Sequence, residues 1–153
     1  MSYKAKKIFS VVGMILILAF AAIKVMSSDV HEVKQALPGH ISNLSEVKIV
    51  EIKDTNGQLI LSGNFGNATQ DGKELEREAV LAATTVMPKA TGVAEIEIST
   101  DNVSFTEQEL ELSVKHLAAG TIFHLFVDGQ EVAPFTTNHE GKAEIEFTNK
   151  PLK

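Results

Sequence analysis

The 153-residue sequence contains no cysteine, no tryptophan and a single tyrosine. Without cysteine there is no disulfide, no thiol nucleophile, no zinc-thiolate or iron–sulfur site, and no lipid-modified cysteine at a mature N-terminus. With so few aromatics on an acidic background, a carbohydrate-stacking platform is also unexpected. No Gly-x-Ser-x-Gly elbow, Gly-rich phosphate loop or aspartate-rich calcium loop occurs. The expectation from these absences is a protein that is not an enzyme and that holds no cofactor and no metal.

What the chain does contain begins with Lys4, Lys6 and Lys7 directly before Ile8 to Ile23, an apolar run interrupted only by Ser10 and Gly13. This is the pattern of an export signal. As a helix of roughly 1.5 Å per residue the run would be about 24 Å long, short of a bilayer core of about 30 Å. Cleavage is therefore expected, at the Ala19-Phe20-Ala21 triplet or after Val25-Met26-Ser27. The alternative is a signal anchor through residues 8–26, with Lys24 snorkelling to the outer interface. Either way the predicted location is outside the cytoplasm, periplasmic or extracellular, with the inner membrane reached only by an uncleaved leader.

About 125 residues follow residue 28, enough for one domain with a single core. The whole chain carries a formal charge of −6, and removing the four leader lysines leaves ten basic against 20 acidic residues, about −10. Nucleic acid is a poor partner for such a surface.

Residues 29–45 read as a short helix and linker. Ser28 can cap, Asp29 stands in the first turn, Val30, Val33 and Leu37 share a narrow stripe, and Pro38-Gly39 stops it before a polar linker to Ser45. From 46 to 153 the period is two. In Gly92 to Ser99, Ala94, Ile96 and Ile98 alternate with Glu95 and Glu97, and the same words recur 49 residues later as Gly141 to Thr148, where Glu144 and Glu146 alternate with Ala143, Ile145 and Phe147. Glu107 to Lys115 repeats the logic, with Leu110, Leu112 and Val114 inward. Further strands are expected at Val47 to Lys53, Gln58 to Phe65, Leu75 to Ala83, Thr121 to Val127 and Gln130 to Thr136, eight in all. Of these Glu74 to Ala83 is the most ambiguous, since its residues also form helices well. Asp128-Gly129 predicts a type I′ hairpin, and Asn56-Gly57 a similar turn. The expected fold is all-β: an antiparallel β-sandwich, Ig-like, or alternatively a small barrel, behind an apolar export helix. The two Gly-x-Ala-Glu-Ile-Glu strands raise the question of duplication, but their upstream turn glycines stand 35 and 12 residues before them, which argues against a full repeat.

Ala79-Val80-Leu81, Met87-Pro88 and Ala90-Thr91-Gly92-Val93-Ala94 resemble the opening of CHRD-type domains, secreted β-domains of chordin and of many bacterial exported proteins. Leu117 to Thr121, Phe126-Val127-Asp128-Gly129 and Gly141 to Phe147 resemble uncharacterised bacterial exported β-domain proteins. The resemblance covers about a third of the chain and implies an exported β-fold with no activity attached.

Among candidate ligands, His31, His40, His116, His124 and His139 lack the close spacing of a metal motif, and only His116 and His124 lie near consecutive strands. The paired carboxylates Glu95/Glu97 and Glu144/Glu146 read as the solvated face of a sheet. Asn43, Asn67 and Asn102 begin Asn-x-Ser/Thr triplets and read as loops. One strand breaks the rule that a sandwich buries one face only. In Thr121 to Val127, Ile122, His124 and Phe126 alternate with Phe123, Leu125 and Val127, so both faces are largely apolar. Either the Val30/Val33/Leu37 helix or a loop covers the first set, or Ile122, His124 and Phe126 form a contact with a partner or a second copy. The expected function is a non-catalytic exported β-domain for envelope or extracellular interactions. The alternative is a small-ligand or metal-binding accessory module using His116 and His124.

Overall fold

The computed structural model describes residues 33–102 and 105–152. The export segment and the first part of the expected helix lie outside them. Among the described residues ten strands form: β1 Val33–Ala36, β2 Ile49–Asp54, β3 Leu59–Asn64, β4 Thr69–Asp71, β5 Glu74–Ala83, β6 Thr91–Asn102, β7 Phe105–Lys115, β8 Ile122–Val127, β9 Gln130–Thr136 and β10 Ala143–Thr148, with one 3₁₀ turn at Leu44–Glu46. The all-β expectation holds, and the ambiguous Glu74 to Ala83 stretch is a strand. No helix among the described residues is long and apolar enough to cross a membrane.

The strands follow one continuous path, β1-β10-β7-β6-β5-β3-β2-β8-β9, with β4 on the flank of β5, and the sheet curls into a half-barrel. The corner lies in β5. Its residues Glu74 to Leu81 pair with β6, while Ala82 and Ala83 pair with Ser62 and Leu61 of β3. The crossing is tight, and a Cβ on Gly63 would stand 2.6 Å from the Val80 carbonyl oxygen. Alternation then places Ala94, Ile96, Leu110, Leu112, Ile145 and Phe147 of one limb against Val50, Ile52, Phe123, Leu125 and Val127 of the other in a single buried cluster. The Phe123 and Phe135 rings sit 6.0 Å apart within it. The β8–β9 turn is as expected, with positive φ at both Asp128 and Gly129. The Asp128 carboxylate also accepts from the Lys48 and Ile49 N–H groups at 3.0 and 2.9 Å, fixing where β2 starts.

Three expectations are corrected. Val33 to Leu37 does not continue a helix: Val33–Ala36 is a strand at one end of the described path, and it pairs parallel with β10, the one parallel pairing among the described residues. A narrow helical stripe buries little, whereas the strand gains a backbone ladder and an ion pair between Lys34 and Glu146. The linker to Ser45 is not a free connection. Ile41, Leu44 and Val47 are buried, the Leu44 N–H donates to Gln108 Oε1 at 2.7 Å, and Arg77 donates to the Ser45 and Val47 carbonyls at 2.9 and 2.6 Å. The segment thus plugs one end of the half-barrel. The strands expected as eight are ten, because β1 and the three-residue β4 were too short to show a period.

The two similar strands β6 and β10 flank β7 on either side, both antiparallel to it. Sharing one partner, they meet the same packing demands.

Candidate functional site

The outward side of β8 carries Ile122, His124 and Phe126, because Phe123, Leu125 and Val127 are committed to the core. Register brings Glu51 beside Phe126 and Lys53 beside His124 from β2, and Glu131 and Pro134 beside the same two residues from β9. Ile122 is 48% exposed. Phe126 lies under the Lys53 ammonium, 4.5 Å from the ring centroid, a cation–π contact worth about 0.5–1 kcal/mol at such a site. Lys53 is held in turn by Glu51 at 3.0 Å. His124 Nδ1 and Glu131 Oε1 are 2.6 Å apart. The expected cover, a helix containing Val33 and Leu37, is not what those residues form, since Val33 belongs to β1 at the other end of the strand path. The face is therefore apolar at Ile122 and Phe126 and edged by a small charged network.

His31 lies outside the described residues, and the other four histidines do not form one cluster, although His40 and His124 both reach Glu131. His116 ends β7 in a left-handed turn with φ 60, His124 is on β8, His40 Nε2 lies 2.9 Å from the Glu131 carbonyl oxygen, and His139 is in the β9–β10 loop. Among the described residues no group of three His, Cys, Asp or Glu side chains is placed to hold a metal ion.

A second surface was only half legible. The glutamates of β6, β7 and β10 share an outward face as expected, and β5 adds Glu74, Glu76 and Glu78 to it. Pairing aligns them across strands: Glu78, Glu95, Glu111 and Glu146 form one row that ends on Lys34, and Glu76, Glu97 and Glu109 form the next. Neighbouring strands are about 4.8 Å apart, so like charges meet at close range, an arrangement that destabilises a sheet. Lys150 offsets part of this, bridging Glu107 at 2.8 Å and Glu109 at 3.0 Å. Glu146 is not solvated as expected. It is only 7% exposed, tucked beneath Lys34.

Glu95 sits in the middle of the first row. Burial first, then Glu111, Glu76, Glu78 and Glu97, push its carboxyl up from 4.5 to about 7. Burial and the neighbouring Glu109, Glu74 and Glu76 raise Glu97 as well, with Lys150 opposing. Because the folded state of Glu95 binds its proton more tightly than the unfolded chain does, the stabilisation is fully present below about pH 4.5. It is lost as pH rises through about 7. For a half-buried group screened by solvent this amounts to about 1–2 kcal/mol. Denaturant melts at pH 5.5 and pH 8 are expected to show the protein more stable at the lower pH. Glu95→Gln should raise stability at pH 8 and flatten the profile; an unchanged profile would place the repulsion elsewhere.

No protein-family model, no curated protein and no solved structure matches this chain.

Proposed function

We propose that the chain is exported and acts, without catalysis, as a binding domain in the cell envelope or outside the cell, contacting a protein partner through Ile122, His124 and Phe126. The observation that carries this reading is the outward face of β8, where Ile122 is exposed and Phe126 is covered on its ring face by the Lys53 ammonium. Apolar groups rimmed by charge are a recurrent composition of contact surfaces. The basic leader and apolar run support the location, and the resemblance to exported β-domains agrees with it.

A photocrosslinking residue at position 122 of the full-length chain tests the contact in intact cells. A discrete adduct is expected from the exported fraction, and Phe126→Ser should abolish it while shifting the melting midpoint by no more than a few degrees. If Phe126→Ser instead unfolds the monomer, that face is ordinary core. If the tagged chain stays in the cytosol and retains Met1, the export reading is wrong.

A further inference from the structure

Among the described residues the strand path has two ends, β1 and β9, and the half-barrel is open between them. A cleft of about 420 Å³ occupies the opening, lined by Val33 and Gln35 of β1, Pro134 and Phe135 of β9, and Ala143 and Ile145 of β10. That is within the roughly 300–1,000 Å³ of ordinary ligand pockets.

The backbone at the two edges differs. The Leu37 N–H donates to the Thr148 carbonyl at 2.8 Å, so odd-numbered groups of β1 point to β10, and the N–H and C=O of Lys34 and Ala36 point to the edge that no strand pairs among the described residues. On β9 the Thr137 N–H donates to the Thr121 carbonyl at 3.1 Å, which leaves position 134 facing outward. Position 134 is proline, which has no N–H to offer and blocks strand addition there. The four described residues of β1 include no proline. A third feature lies in the cleft wall. Asn138 Oδ1 accepts from the Glu140 and Lys142 N–H groups, each at 2.9 Å, which fixes the amide orientation. Its Nδ2 is then a buried donor with no hydrogen-bond partner among the described residues.

We propose that the outer edge of β1, together with the cleft beside it, is a strand-acceptor groove: an extended segment of a partner protein, apolar at alternate positions, adds to the β1 edge that no described strand pairs. Its backbone would pair with Lys34 and Ala36, its apolar side chains would lie on Val33, Phe135 and Ile145, and a carbonyl at the groove end would take the Asn138 Nδ2 donor. This is strand addition to a sheet edge, with backbone bonds supplying affinity and alternate side chains supplying selectivity. A second copy of the chain is the less suitable occupant. β1 has four residues, and pairing two such edges buries far less than the roughly 1,000 Å² a stable interface needs. It would also join two glutamate faces side by side. The groove meets the outward face of β8 only at Pro134, and neither proposal uses that residue as a contact, so the loss of either leaves the other standing.

The test uses the exported full-length protein and a panel of end-blocked octapeptides alternating Val, Ile or Phe with Thr. Amide exchange is followed by NMR. At least one peptide is expected to bind with a Kd of about 10–100 μM, since an extended segment loses freedom on binding, and to slow exchange of the Lys34 and Ala36 amides about tenfold or more. Val33→Lys, at a position 48% exposed, should weaken that peptide at least about tenfold without moving the melting midpoint. Three outcomes would overturn the proposal: no binding by any panel peptide at about 1 mM, binding indifferent to Val33→Lys, or protection of the β1 amides in the free protein, concentration-dependent for a second copy and concentration-independent for a segment of the same chain.

Discussion

Ile96→Lys is expected to cost about 3–5 kcal/mol and to leave the domain largely unfolded, whereas Glu97→Lys, one residue along, should be neutral or stabilising by up to about 1 kcal/mol. Ile96 is fully buried, paired with Leu110 on one side and Arg77 on the other. A lysine there would carry its charge into the core beside an arginine already occupied by three carbonyls. Glu97 points the opposite way, between Glu76 and Glu109. Reversing its sign replaces two repulsions by two attractions. Ile145→Lys repeats the severe effect at a second buried site. Glu146→Lys does not belong with Glu97→Lys, although alternation alone puts the two together, because Glu146 is buried under Lys34 and the reversal sets two ammonium groups in contact. Urea or guanidinium melts give all four midpoints. Equal shifts for Ile96→Lys and Glu97→Lys would mean the two faces of β6 have been assigned wrongly.

A comparable loss, about 3 kcal/mol or more, is expected from Gly141→Ala, a change of one methyl group in a loop. Gly141 has φ +72, a conformation side chains rarely adopt, and a Cβ there would come within 2.0 Å of the Leu117 carbonyl oxygen. The contact cannot be relieved cheaply because both sides are backbone. The Leu117 N–H donates to the Gly141 carbonyl at 3.1 Å, and the loop is tied to itself by the Asn138 N–H donating to the Lys142 carbonyl at 2.8 Å. Leu117 is buried, so pushing the segments apart drags a core side chain with them. Thermal melts should show the loss, and Gly39→Ala, where an added Cβ meets nothing within 4 Å, is the matched control.

Much of the architecture was legible in the sequence because a half-buried strand writes its two environments into alternate residues. β6, β7 and β10 are read directly from Ala94 to Glu97, Leu110 to Val114 and Ala143 to Phe147, and the Asp128-Gly129 turn sets the first β8–β9 pairs, Val127 with Gln130 and Phe126 with Glu131, before a bulge shifts the register. What could not be read depends on partners distant in sequence. β1 is four residues with no period, made a strand by Thr148 and Glu146. The plug at Leu44 looks like a polar linker until Gln108 and Arg77 are brought to it. For the candidate sites, alternation showed that Ile122, His124 and Phe126 share a face. Only the pairing register put Lys53 and Glu131 beside them. The glutamate rows were hidden for the same reason, since each strand displays its own carboxylates but not which ones it will face.

The parallel pairing of β1 with β10 also imposes an order in time. Val33 meets Ile145, 112 residues further on, and Val50 of β2 meets Val127 of β8. For any chain that emerges from a ribosome or a membrane pore N-terminus first, the earliest strand has its partner only when the last one arrives. Until then β1 has no ladder, while β2 has only its β3 side until β8 emerges and the plug at Leu44 waits for Gln108 of β7. Contacts of such long span slow folding and keep strand edges open while they wait. The half-barrel is thus a fold that closes from its C-terminal strand, and an escort that shields the first strands would matter most during the final stretch of delivery.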